Sequence, residues 1–208
     1  MLEAAIALIE QKGEAGLRVV EVAEQAGVSV ASIYNYFTNR DELVTAARVE
    51  QYLASVGADV ERIGQVLTQA QDPAEYISLM RDVSREASAA DRADRRWRRA
   101  EVLGAARRRP ELATRIGETQ HQINRELTRI ARLGQERGLL DPTLDPAALA
   151  VFVQAFTFGL VLADVDPGLA LDEESWLDVV TRFTASITPP GGGGPGFSVP
   201  PPRPSAGR

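Results

Sequence analysis

Eight arginines, Arg92, Arg95, Arg96, Arg98, Arg99, Arg107, Arg108 and Arg109, fall in one stretch whose only acids are Asp94 and Glu101. A guanidinium run of this density could hold an anionic effector or add a DNA contact, although its ordinary meaning is a solvated helix face. Trp97 stands among these charges as a large apolar group and is expected to turn inward, toward core or pocket. Elsewhere chemistry is scarce. His121 is the only histidine and has no neighbour at metal-ligand spacing, so it reads as a surface or structural residue. The chain has no cysteine, which excludes disulfides, zinc fingers and thiol nucleophiles. No carboxylate pair or phosphate-cradling glycine loop stands at motif spacing, because the run Gly191 to Gly194 sits in a proline-rich tail. No enzyme activity, metal or cofactor is expected.

The elements that must position any site are helices. The 208 residues are 44% hydrophobic and 25% charged, enough for one or two globular domains. Alanine, leucine, arginine and glutamate dominate without period-two alternation, so the expected fold class is all-α, with about nine helices. Pro and Gly punctuate the chain, and Asp72, Arg109 and Asp145 each precede a proline suited to a first helical position. The two aspartates can also cap. The most apolar run, Ala147 to Ala163, includes Gln154, Thr157 and Gly159 and lacks basic flanks, which favours a buried helix over a membrane span. Met1-Leu2-Glu3 carries an acid where a secretory signal carries bases, so a cytoplasmic protein is expected. The last 21 residues, from Thr188, hold seven prolines and six glycines and are expected to be disordered. The division is therefore 1–48, 49–187 and a tail at 188–208.

The first fifty residues are the most informative. Leu2, Ala5, Ile6 and Ile9 give a first helix with one apolar face, and Val19, Val22, Ala23 and Ala26 give a second. Gly27 supplies the left-handed turn, and Ser29 caps a third helix in which Ile33 and Phe37 share a face. Val30, Ala31, Tyr34 and Asn35 then point elsewhere. Ala23, Gly27 and Ile33 match helix-turn-helix spacing, in which a small residue lets two helices approach. Asn39 and Glu42 form a capping box for helix four, which runs from about Asp41 into the 60s. Against nucleic acid stands charge: the net charge is −6, and residues 1–50 hold four basic side chains against eight acidic ones.

The run Val22-Ala23-Glu24-Gln25-Ala26-Gly27-Val28-Ser29-Val30-Ala31-Ser32-Ile33-Tyr34-Asn35-Tyr36-Phe37-Thr38-Asn39-Arg40-Asp41-Glu42-Leu43 resembles the signature of the tetracycline-repressor (TetR) family across its full length. The resemblance implies a DNA-binding regulator, in which Arg40, Ser32 and Tyr36 touch phosphate and backbone while Val30, Ala31 and Tyr34 face base edges. Asn35 could read adenine if it points into the groove, and Ser29 starts the reading helix. Tyr34 and Tyr36 could equally be packing residues of a three-helix domain. Arg18 replaces the threonine cap common in the family, so a phosphate contact is expected there in place of a cap. The family's basic arm ahead of helix one is expected upstream of Met1.

Beyond residue 50 the resemblance is architectural. It implies a homodimer in which the last two helices pair with their copies, through Phe152, Phe156, Leu160, Trp176, Val180 and Phe183, so that two reading helices meet a double-stranded operator. The alternative is that both helices are core of a monomer. It also implies a small apolar or amphipathic effector near Trp97, Phe152, Phe156 and Phe158, although these aromatics also suit plain core. A helical adaptor or ligand-binding protein that kept the fold but binds DNA weakly is the rival function.

Overall fold

A computed structural model of the chain describes residues 1–166, 168–169 and 172–189. The described residues form α1 (Leu2–Gly16), α2 (Val19–Ala26), α3 (Val30–Tyr36), α4 (Arg40–Gln69), α5 (Pro73–Ser88), α6 (Ala93–Ala106), α7 (Pro110–Glu136), α8 (Pro146–Gly159), α9 (Val161–Val165) and α10 (Glu173–Ser186), with a 3-10 turn at Ala90–Arg92. There is no strand among them. Helices α8 and α9 follow one another across Leu160; taken as one broken helix they bring the number to the nine expected. Beyond Thr188 and Pro189, the tail expected to be disordered lies outside the described residues.

Helix starts follow the chain chemistry. Asp72, Asp145 and Asp172 accept the backbone N–H of Glu75, Ala148 and Ser175 at 2.8, 2.7 and 2.8 Å, meeting donors that a helix start leaves free. Pro73, Pro110 and Pro146 occupy first-turn positions, where no N–H is needed.

Two separate cores are strung on α4. Ala5, Leu17, Val22, Ile33, Leu43 and Val44 close the first, formed by α1 to α3 and the start of α4. Tyr52, Val66, Val102, Leu112 and Leu139 belong to the second, which gathers the rest of α4 with α5 to α8. Ala47 ends the first cluster and Val49 packs on the second, so one continuous helix passes from one core to the other. Each fully buried Leu, Ile or Val contributes about 1.5–3 kcal/mol, which makes both cores cohesive. Near its far end α4 is held by α7: a Cβ on Gly134 would lie 2.7 Å from Leu140 Cδ1 and 2.9 Å from Leu67 Cδ2. Arg137 then donates to the carbonyls of Leu67 and Ala70, closing the end of α4.

The buried helix expected at Ala147 to Ala163 is buried on one side only. Ala150, Leu160 and Val161 face inward, while Val151, Phe152, Leu162 and Val165 are exposed. The stretch Pro146–Val165 is long and apolar enough to cross a membrane by length and composition alone. Its inner side nevertheless packs on α7 through Ala150 and Val153.

Candidate nucleic-acid interface

The turn between α2 and α3 is built on Gly27, whose φ of 66° is left-handed and whose N–H returns to α2. A side chain there would be strained whatever the space around it. Ser29 Oγ accepts the Ser32 N–H at 3.0 Å and starts α3. Ile33 is buried and Phe37 packs on the same core, which turns the opposite face of α3 outward. Ala31, Tyr34, Asn35 and Tyr36 are exposed on that face, and Tyr36, at 71%, is nearly free of the protein. Val30, expected to face bases, packs partly against the core. Ser32 is half-buried with its hydroxyl 2.8 Å from that of Ser29.

The cations are arranged differently from expectation. Arg40, assigned to phosphate, donates from Nε to the Leu17 carbonyl at 2.9 Å and from Nη2 to the Glu14 carbonyl, with Nη1 on Asp41 at 3.1 Å. The carbonyls at the end of α1 draw the guanidinium inward, so it fastens α4 to α1. Lys12 pairs with Glu21 at 2.9 Å and Arg48 with Glu14 at 2.8 Å. Among the described residues, Arg18 is the basic side chain of the first fifty with no ion pair or hydrogen bond. It is exposed at the start of α2, with no side-chain cap there. Asn39 accepts the Glu42 N–H at 2.9 Å, but Glu42 reaches back to the N–H of Thr38, at 2.7 Å, rather than of Asn39. Those Thr38 hydrogen bonds hold the Glu42 carboxyl below its ordinary pKa.

The acidity of the N-terminal segment is met by the arginine-rich stretch, which is therefore not simply a solvated face. Glu10 accepts from Arg98 at 3.0 Å, Glu14 from Arg109 at 2.9 Å, and Glu42 lies 3.8 Å from Arg115. Arg109 also donates to Thr45 Oγ1 at 3.1 Å. Arg96 grips Asp164 with two bonds of 2.6 Å. Only Arg107 and Arg108 keep the solvated role outright. No sequence spacing signals these pairs, because their partners lie more than 80 residues apart for Arg98 and Arg109.

Of the four aromatics expected around an effector, Phe158 alone lines the interior cavity, with the Arg99 guanidinium 5.3 Å from its ring centre. Trp97 is 40% exposed and does not turn inward. Phe152 and Phe156 instead stack with Phe183 and Trp176, at 4.5 and 5.2 Å between ring centres. Leu160 and Val180, expected at a partner surface, are buried within the protomer, because each faces the inner side of its helix. The outer face carries Val151, Phe152 and Val179, the last 60% exposed. Val151 went unnoticed in the sequence because α8 is apolar on every side.

An exposed third helix on a glycine turn, joined by one long helix to a second helical core, defines a helix-turn-helix protein with an appended helical domain. The family model for bacterial regulatory proteins of the tetR family matches residues 1–47, and that for the C-terminal part of BetI-type transcriptional repressors matches residues 77–189. The chain belongs to the TetR family, and to its BetI-type branch by its C-terminal domain. It is 32% identical over 80 residues to the HTH-type transcriptional regulator BetI of Brucella canis, an alignment covering 38% of each chain. A protein from Mesorhizobium loti described as a TetR-family transcriptional regulator shares the fold, with a TM-score of 0.66 at 17% identity over 89% of this chain and 93% of its own. So does a protein from Saccharomonospora viridis, described as a transcriptional regulator in complex with choline, with a TM-score of 0.61 at 17% identity over 90% and 95%.

Proposed function

We propose that this protein is a dimeric transcriptional repressor that binds a double-stranded operator through α3 and releases it when a small molecule occupies the C-terminal core. The observation that carries this reading is the outward face of α3: Ala31, Tyr34, Asn35 and Tyr36 are exposed beside the unpaired Arg18 while Ile33 locks the helix from behind. Ala31, Tyr34 and Asn35 suit base edges, and Tyr36 and Arg18 suit the phosphate backbone. Exposed Val151 and Phe152 on α8 and Val179 on α10, two helices joined by the Phe152–Phe183 stack, support a homodimer that covers them. Two copies would set two reading helices roughly 34–36 Å apart, one turn of the duplex.

Release works through α6, which carries pocket-lining arginines at one end and contacts the reading domain by Arg98. A ligand that shifts α6 changes the Glu10 and Glu14 contacts and so the angle of the head. Choline is not carried over from the S. viridis protein. The aromatic rings of α8 and α10 stack directly on one another and leave no gap for a cation, and the cavity is lined by arginines. The test is a mobility-shift titration of the full chain on DNA from its own promoter, with Tyr36→Ala and Arg18→Ala beside it. Sequence-selective binding weakened by both variants is expected. Binding no better than to unrelated DNA favours the adaptor reading.

A further inference from the structure

Between α4, α6 and α8 lies a cavity lined by Arg92, Arg95, Arg96 and Arg99, with Asp59 and Phe158 completing its wall. From it we infer that the effector site takes a small organic carboxylate, a reading that rests on the C-terminal core being the place of regulation. Four guanidinium groups meet two carboxylates, since Asp164 answers Arg96 and Asp59 lies 3.5 Å from Arg95, so positive charge is left over. One donor is unanswered. Arg99 is 9% exposed and its Nε has no hydrogen-bond partner, whereas Arg95 Nη1, buried without a hydrogen bond, still faces Asp59 Oδ1 at 3.5 Å. A buried guanidinium donor without an acceptor is costly, and an oxyanion relieves it, because its oxygens accept charge-assisted N–H bonds from Arg99 and the neighbouring cations. Asp59 is shared among these cations: desolvation raises its pKa, while the charges of Arg95, Arg92 and Arg99 act to lower it.

Size and shape narrow the class. The cavity encloses about 30 Å³, against roughly 10–15 Å³ for one water, so it holds about the two oxygens of a carboxylate. The Phe158 ring and Leu160 give the wall an apolar side, against which the first carbon of a short chain can lie while the rest of the chain extends beyond this volume. Arg96, already committed to Asp164 and to the Ala87 carbonyl at 2.7 Å, frames the site and leaves the binding to Arg95 and Arg99.

The experiment is calorimetric titration of the full chain with butyrate, choline and inorganic phosphate, repeated on Arg99→Gln, Arg99→Lys and Arg95→Gln, with mobility shifts on promoter DNA run in parallel. Butyrate is expected to bind, with a loss of at least tenfold in Arg95→Gln and Arg99→Gln and a smaller loss in Arg99→Lys. The Arg95 side chain is a third exposed, so its variant is expected to fold even where an Arg99 variant does not. Choline binding in place of butyrate overturns the inference, as does butyrate binding unchanged in Arg95→Gln or no binding at all. Phosphate binding as tightly as butyrate overturns the organic part. Each of these leaves the regulator reading intact if the DNA shifts, whereas butyrate binding without a DNA shift sustains the pocket and removes the repressor.

Discussion

Arg109, at the turn before α7, donates to Glu14 Oε2 of α1 at 2.9 Å, while Arg48 of α4 holds the other oxygen at 2.8 Å. One carboxylate thus joins the N-terminal core to the linking helix and to the C-terminal core. With side chains only about a quarter exposed, Glu14 and Arg109 are screened less than a surface pair. Glu14→Gln is expected to cost about 1–2 kcal/mol, a fall in Tm of roughly 3–6 °C for a chain of this size. It is also expected to weaken the effect of ligand on DNA affinity. An unchanged Tm and unchanged ligand response would remove Glu14 from the coupling path.

Arg18 and Arg40 separate a phosphate contact from a structural clamp. Arg18→Ala is expected to leave stability within about 0.5 kcal/mol and to lower the salt dependence of DNA binding by about one unit of slope. Arg40→Ala removes the guanidinium from the Leu17 carbonyl and leaves the Glu14 carbonyl with the Leu17 N–H alone, and is expected to destabilise the head by about 1–3 kcal/mol. Urea unfolding beside a salt series of DNA titrations reads both.

The two valines of α10 give opposite results. Val179→Asp changes an exposed residue, so the protomer is expected to keep its far-UV dichroism while sedimentation shows a monomer. Val180→Ala empties a buried position and is expected to cost about 2 kcal/mol without changing the assembly. A dimer surviving Val179→Asp would place the subunit contact elsewhere.

Glycines at two positions resist substitution for different reasons. Gly27→Ala forces a Cβ into a left-handed backbone and is expected to cost about 1 kcal/mol. Gly134→Ala pushes a methyl against Leu140 and Leu67 and is expected to cost about 1–3 kcal/mol. Thermal unfolding of both variants checks the order.

Glu42 predicts a pH dependence at the reading domain. Its carboxyl is held below the usual 4.5 by hydrogen bonds from Thr38. A depressed acid stabilises the fold above its unfolded pKa and loses that contribution as pH falls through the folded value. The Tm gap between wild type and Glu42→Ala is therefore expected to be constant above about pH 5.5 and to shrink in more acidic buffer. A gap that stays constant into acid would show that the contribution is not ionic.

The local and periodic features were decided by the residues in order. Helix content, the Gly27 turn, the caps at Ser29, Asn39, Asp72 and Asp145, and the inward face of Ile33 and Phe37 all depend on neighbours within four residues or so, which is why a signature could carry them. Tertiary structure alone decided which charges are free. Arg40 finds two carbonyls of α1, Glu10 and Glu14 find arginines from α6 and the turn before α7, and Arg99 is shut in beside Phe158. Likewise, α8 is apolar almost all round, so only packing in the second core shows that Ala150 points in and Val151 out. Charge pairing and facing are set by elements distant in sequence and adjacent in space, and no local pattern encodes that adjacency.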